Sequence, residues 1–360
     1  LSINISDILP IIIAFQSILF AAVLLTDNGP KRISNRYLAL FLILLATQFI
    51  VIVSASFGVK SDFLKSSLCI YGFSYGPLLY LYAKSLIYDG YHYDKSQLLH
   101  FGPSVVISVC SAIGFPICGS IGFFLYLSLL IYIGLAIREM VSYREVIRET
   151  QSSLNQTDLA WLQWTMIIFT CALLLDIVDQ FFVSMDILAN ISSIHLTIVL
   201  LVNWMFYKGL KQPEIFQGIS KMDEEVVRNK QSILAQNTPD SDEQIELDRI
   251  QRSMEEKEYY SNPQLNLKDL ATHLDISPRH LSYLINTYFN QNFMGFVNSY
   301  RIEKAKYRLK HPNDEGETIL EVMYDVGFNS KSSFFTIFKR ETGLTPAAFK
   351  KKHTAKLGRK

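Results

Sequence analysis

Two short stretches near the C-terminal end carry side chains whose types and spacing suit contact with a polyanion. In the first, Arg279, Ser282, Tyr283 and Asn286 share one arc at about 100° per residue, opposite Leu281, Leu284, Ile285 and Tyr288. In the second, Ser332, Ser333, Thr336, Lys339 and Arg340 form the polar arc, opposite Phe334, Phe335, Ile337 and Phe338. Both arcs offer hydroxyls, an amide or cations, and neither contains an acid. Such groups donate to phosphate oxygens and to base edges in the major groove. A generic solvated face mixes in Glu and Asp, so these arcs point to double-stranded DNA.

A second set of polar residues lies inside apolar stretches, where a polar group costs free energy unless it is paired. It comprises Gln16, Gln48, Lys84, Asp176, Asp179, Gln180, His195 and Asn203. Asp176 and Asp179 are three apart, hence on one helix face, and His195 falls at a similar depth on the next apolar stretch. Two readings stand for Asp176, Asp179 and His195. They form an outward-opening pocket for a small-molecule or membrane signal, or they make interhelical hydrogen bonds at the outer interface. Lys84 reads as snorkelling to the headgroups. The middle of the last apolar stretch has no lysine for a retinal Schiff base. No catalytic triad, phosphate loop or paired metal-ligand spacing is present, so neither an enzyme nor a metal or cofactor site is expected. Cys69, Cys110, Cys118 and Cys171 all sit in or beside apolar segments and read as small buried hydrophobes.

The elements that must position these residues follow from how charge and hydropathy are distributed. Residues 1–213 hold 12 Lys/Arg and 12 Asp/Glu; residues 214–257 hold 6 and 11; residues 258–360 hold 16 and 10. An overall net charge of +1 therefore hides an apolar region, an acidic connector and a basic tail, the last being the electrostatic footprint of a nucleic-acid binder. Seven apolar stretches run over about 8–26, 37–57, 68–88, 98–117, 119–137, 160–182 and 187–207. Most approach the ~20 residues a helix needs to cross a bilayer. The fourth and fifth are separated only by Cys118, Gly119 and Ser120. The first run, Ile8 to Leu25, is longer than a signal-peptide core and has no basic residue before it. With the N-terminus outside, inner loops carry nine Lys/Arg and outer loops two, which puts the C-terminal end in the cytoplasm. Gly76–Pro77 and Gly102–Pro103 are expected to bend spans three and four. In the connector, Met222–Leu234 reads as a short helix and 237–241 as a turn. Asp242 to Tyr260 reads as a helix with Ile245, Ile250 and Met254 as its apolar positions; it opens the tail domain, contacts a second copy or does both, or else is a solvated amphipathic helix with no partner beyond its own domain.

The tail contains a repeat. Ala271 matches Met323, Leu274 matches Val326, Asp275 matches Gly327 and Ile276 matches Phe328, all at an offset of 52. Each copy, at about 267–288 and 318–341, reads as helix, tight turn, helix. Gly327 suits a positive-φ position, and Asp275 tolerates one. Thr318 with Glu321 has capping-box spacing, and Asn266 with Asp269 is a weaker analogue. Ser277–Pro278 and Thr345–Pro346 read as N-cap and first helical residue. Between the copies, Phe293 to Leu309 has helical periodicity and would make a rod of about 25 Å. Two recognition helices so held could enter successive major-groove segments, about 34 Å apart on one face of the duplex.

With these residues assembled, 258–353 resembles the AraC/XylS family of transcription regulators. The likeness rests on Leu270-Ala271, Ile276-Ser277-Pro278, Leu281, Tyr300-Arg301, Ala305, Gly327-Phe328, Ser333-Phe334-Phe335, Phe338-Lys339, Gly343 and Thr345-Pro346. The chain is also similar to a membrane-anchored subgroup of Bacteroidetes-type bacteria, through its span count, Gly76-Pro77-Leu78-Leu79-Tyr80 and His100 to Pro103. The resemblance implies DNA contacts by Arg279, Ser282 and Tyr283 in the first unit and by Lys331, Ser333 and Thr336 in the second. Met323 stands where the family usually has a small residue. The expected architecture is all-α: a seven-helix transmembrane bundle over 1–210, a partly helical acidic cytoplasmic connector over 211–257, and a double helix-turn-helix domain over 258–360. The expected activity is signal-coupled transcription regulation from a bacterial inner membrane, with promoter DNA, the bilayer, a signal molecule and a second copy of the chain as partners. A constitutive DNA binder passively anchored in the membrane is the alternative.

Overall fold

The computed structural model of the chain describes residues 5–27, 29, 32–59, 62–113, 115, 121–152, 159–178, 193–211, 223, 241–314 and 316–357. Among these, the regular structure is helical, apart from one isolated antiparallel bridge between Gln151 and Asn266. The chain divides into two compact units: residues 1–142 with 159–218, and residues 143–158 with 219–360.

The first unit contains helices α1 (Ile5–Thr26), α2 (Arg32–Ser56), α3 (Asp62–Ile87), α4 (Gly102–Ala112), α6 (Ala160–Val178) and α7 (Ser193–Lys211), together with α5 (Gly122–Thr150) as far as Ser142. Among the described residues three helical segments are long and apolar enough to cross a membrane: Ile8–Thr26, Arg32–Ser56 and Gly122–Thr150. Large apolar side chains face outward, including Phe15, Leu19, Phe123, Ile168 and Leu200. Such a surface is costly in water and costs nothing in lipid. The fourth expected span differs from expectation. A 3-10 segment, Lys95–Phe101, started by the Asp94 cap, leads into α4, which is only 11 residues long. Proline at 103 has no N–H to extend the ladder backwards from α4. The expected turn at Cys118–Ser120 lies outside the described residues, as does Met222–Leu234 apart from Asp223.

Several polar side chains inside this unit pair across helices, as apolar surroundings favour. Asn203 Nδ2 donates to Gln16 Oε1 at 2.9 Å, Ser34 Oγ to the Ser85 carbonyl at 3.1 Å, and the Ser74 and Ser104 hydroxyls lie 3.0 Å apart. The Lys84 ammonium sits 5.5 and 5.7 Å from the Tyr80 and Tyr88 ring centres. Gly72 and Gly76 share one face of α3. A Cβ at Gly72 would come within 2.5 Å of the Leu125 side chain, and one at Gly76 within 2.9 Å of Tyr132. The absence of side chains there lets α3 receive α5.

The second unit holds α8 (Ser241–Glu255), a 3-10 turn at Tyr259–Ser261, α9 (Leu267–Leu274), α10 (Pro278–Tyr288), α11 (Phe293–Lys310), α12 (Ile319–Asp325), α13 (Lys331–Thr342) and α14 (Pro346–Leu357). It has two cores on one rod. Phe293, Phe296 and Val297 of α11 pack with α8, α9 and α10; Ile302, Ala305 and Leu309 pack with α12, α13 and Phe349 of α14. In α8 the buried stripe is Leu247, Ile250 and Met254, whereas Ile245, expected as an apolar contact, is 59% exposed. At 100° per residue Ile245 falls nearly opposite Leu247. The helix thus supplies part of the first core, which is the reading in which it opens the tail domain.

Candidate nucleic-acid interface

Local chemistry fixes each helix-turn-helix. In the first unit Asn266 caps α9, accepting from the Asp269 N–H at 2.8 Å. Asp275 takes the left-handed conformation (φ 56°) to end α9, and Ser277 starts α10 by accepting from the His280 N–H at 3.1 Å, with Pro278 at the first helical turn. In the second, Thr318 and Glu321 form a complete capping box, with N–H donation at 3.1 Å one way and 2.6 Å the other. The Thr318 N–H bond holds the Glu321 carboxyl below its usual range. Gly327 turns the chain at φ 95°. A Cβ there would lie 2.5 Å from the Tyr260 carbonyl oxygen, so both the angle and the space demand glycine. Ser330 then caps α13 through the Ser333 N–H, and Met323, the departure from the family pattern, is fully buried in the second core.

The two recognition helices present different surfaces. On α13, Lys331, Ser332, Thr336, Lys339 and Arg340 are exposed and Ser333 is half-buried, while Phe334 and Phe338 anchor the opposite side. Lys331 lies 5.7 Å from the Phe335 ring centre and is exposed, so it reaches outward despite its place on the wheel. On α10, Arg279 is exposed, but Ser282 is buried (5% exposed) and Tyr283 and Asn286 are half-buried. Three acids from outside the helix approach it. Glu246 Oε2 lies 2.6 Å from His280 Nε2, Glu243 accepts from the Tyr288 hydroxyl, and Glu149 Oε2 accepts from Asn286 Nδ2 at 3.0 Å. The same Asn286 nitrogen donates to the Ser282 carbonyl at 2.8 Å. The two acid-free arcs of the sequence are therefore alike in composition and unlike in surroundings.

Glu149 comes from the end of α5. This helix is 29 residues long, well past the ~20 a bilayer needs, and from Tyr143 onward it belongs to the second unit. Beyond it, Ser152 N–H donates to the Leu265 carbonyl at 3.2 Å. Ser152 also meets Arg301, the residue at the seam between the two cores. Arg301 is fully buried and donates from Nε to the Tyr260 carbonyl (2.7 Å), from Nη2 to the Asn262 carbonyl (2.8 Å) and Ser152 Oγ (3.2 Å), and from Nη1 to the Ser152 carbonyl (3.2 Å) and Asn298 Oδ1 (3.3 Å). Its guanidinium also lies 5.5 Å from the Phe328 ring centre. Burial pulls its pKa down to about 10, so it stays charged at neutral pH. Sequence reasoning missed Glu149 and Ser152 entirely, and met Arg301 only as part of a family pattern. The excess length of α5 was the one signal that could have pointed to them.

The other candidate site lies only in part among the described residues. His195 lies on α7 with its ring edge-on to Phe49, centroids 5.4 Å apart. Asp176 falls within α6, and Asp179 and Gln180 lie outside the described residues. Among the described residues no group of three or more His, Cys, Asp or Glu is arranged to hold a metal ion.

Residues 270–352 match the family described as "Helix-turn-helix domain", and the C-terminal region carries a helix-turn-helix domain of the AraC type. The chain is similar to the uncharacterized HTH-type transcriptional regulator YdeC of Bacillus subtilis, 29% identical over 112 residues, 31% of this chain and 38% of that protein. It is also similar to the uncharacterized transcriptional regulatory protein YesN of the same organism, 32% identical over 93 residues, 25% of each. An uncharacterized HTH-type transcriptional regulator of Staphylococcus aureus is 30% identical over 103 residues, 29% of this chain and 13% of that one. The chain thus spans well under half the length of these relatives. No solved structure matches it.

Proposed function

We propose that the protein is a membrane-bound, sequence-specific DNA-binding transcription regulator, with seven spans, a cytoplasmic C-terminal domain and a place among membrane-anchored AraC-type regulators of the bacterial inner membrane. The observation that carries the reading is the pair of helix-turn-helix units on the single rod α11, one presenting an open cationic arc and the other an exposed Arg279. Arg279, Ser282, Tyr283 and Asn286 would serve one groove segment, and Lys331, Ser332, Ser333, Thr336, Lys339 and Arg340 the next. The regulator names of the relatives and the outward apolar surface of the first unit support the same view.

Coupling would run through α5. Its Glu149 carboxylate bonds Asn286 and so lies beside a helix that must approach phosphates. A duplex would meet that negative charge until the helix end withdraws, and Ser152 joins the same segment to the Arg301 seam. A signal that repositions α5 would therefore change how many recognition helices engage DNA. Asp176, Asp179 and His195 remain the proposed signal residues.

The test is selection of duplexes from a random-sequence pool by the full chain in lipid nanodiscs. Enrichment of a two-part site spaced by one helical turn is expected, with affinity falling steeply as salt rises. Enrichment of no sequence would overturn DNA recognition. Replacing Asp176, Asp179 and His195 separates sensing from passive anchoring: a sensor loses its transcriptional response in cells and keeps its duplex affinity, whereas an anchor is unchanged.

A further inference from the structure

The first unit contains a half-open cavity of about 730 Å³, within the range of small-molecule sites, walled by α2, α3, α5, α6 and α7. Its wall runs from His195 to Met205 along α7 and from Phe41 to Ile52 along α2, which at the helical rise makes it about 15 Å long. Three features define what fits. First, no Lys, Arg, Asp or Glu lines it among the described residues. An ion entering it would lose its hydration with no counter-charge from those residues to replace it. Second, the lining is dominated by Leu, Ile, Phe, Met and Val, which reward hydrocarbon. Third, a few polar groups are fixed in place. The Tyr75 hydroxyl donates to Gln48 Oε1, Thr165 Oγ1 donates to the Trp161 carbonyl at 2.7 Å, and His195 stands against Phe49, the neighbour of Gln48. Gln48, Tyr75 and His195 can each present a donor or an acceptor to one polar end group.

We infer that this cavity binds a neutral, elongated, mostly hydrocarbon molecule carrying a single hydrogen-bonding end group, the chemistry of a long-chain alcohol or acyl ester. The inference rests on the proposed function only in treating that molecule as the signal. Its ligand is uncharged, which distinguishes it from a charged ligand paired to an aspartate. Two sources share this chemistry: a neutral lipid of the surrounding bilayer, and an apolar compound arriving from outside the cell.

The test uses the full chain in phosphatidylcholine nanodiscs with dodecanol bearing a photoreactive diazirine, and maps the labelled peptides. Labelling should concentrate on the cavity-facing peptides of α2, α3 and α7. Excess dodecanol should compete at least tenfold better than dodecanoate or dodecylammonium. Val202→Trp, which fills the cavity, should cut the labelling several-fold. Should that variant misfold, Gln48→Leu serves instead, abolishing the preference for dodecanol over dodecane. Labelling spread over outward residues such as Phe15 and Leu200 and indifferent to both variants, or equal competition by the charged analogues, would overturn the inference. A neutral lipid recovered by mass spectrometry from the purified chain assigns the bilayer as source; its absence alongside cavity labelling assigns an external compound, and the ligand class holds in both cases. If dodecanol binds in the cavity and leaves duplex affinity unchanged, sensing fails and the ligand class stands. If the cavity is unlabelled, the ligand class fails and DNA recognition is untouched.

Discussion

The two helix-turn-helix units repeat one local design at an offset of 52 residues, but their recognition helices keep different company. α13 projects Lys331, Thr336, Lys339 and Arg340, and Arg340 pairs with its neighbour Glu341 at 2.8 Å. α10 is bordered by Glu149, Glu243 and Glu246, all from other helices, and its Ser282 is buried. A wheel drawn from the sequence ranks the two faces as equals. The difference teaches that the availability of a recognition face is set by what packs beside it. On the proposed reading, a protein with one exposed and one guarded unit would hold DNA weakly through the first and tightly only when the second is released.

The strongest way to break this comparison is to remove what both units share. Arg301→Met leaves the carbonyls of Tyr260, Asn262 and Ser152 without their donor inside the seam. At ~1–3 kcal/mol for each buried group left unpaired, the loss should exceed ~3 kcal/mol. Hydrogen exchange on the full chain should show α9 to α14 losing protection together; loss confined to α12 and α13 would mean that the units fold independently. Arg279→Ala should relax sequence discrimination by ~1–3 kcal/mol if the guanidinium grips a base edge, read as altered base preference in a duplex selection. A uniform fall across all sequences would reduce it to a phosphate contact. Glu149→Gln should act in the opposite direction. Glu149 is itself buried, so its effect runs through Asn286. Weakening that hydrogen bond to a charged group, worth ~1.5 kcal/mol or more, should raise duplex affinity roughly tenfold in nanodiscs; unchanged affinity would remove the guard from the account. Thr318→Ala should have the smallest effect, about 1 kcal/mol from loss of the cap on the second unit. Because the Glu321 carboxyl is held below its ordinary pKa, its contribution is present above the carboxylate range and is lost as pH falls through it. Thermal melts at descending pH should therefore converge for the wild type and Glu321→Ala.

What was legible in the sequence was mostly local. Asp275, Gly327, Ser277–Pro278 and the Thr318–Glu321 box are read within five residues of the groups they serve, and the structure has them at the expected turns and caps. The α8 register was misjudged at Ile245 because periodicity had to be read across many charges, whereas the first core selects Leu247. The sequence marked Gly102–Pro103 as a bend within span four, whereas the α-helix starts there, because hydropathy does not register where a proline ends the ladder. The Tyr75–Gln48 pair and the cavity beside it depend on five helices meeting, which no single stretch encodes.

The sequence by itself determined the helical content, the apolar and basic halves, the duplicated turns and the acid-free arcs, since these follow from periodicity, capping and charge over a few residues. Tertiary structure alone decided that Glu149 would meet Asn286 across 137 residues, that Arg301 would tie the two cores to Ser152, and that Ser282 would be withdrawn from the surface. The physical reason is range. Backbone propensity and caps act within a helical turn, whereas desolvation and long-distance hydrogen bonds depend on which remote segments the fold brings together.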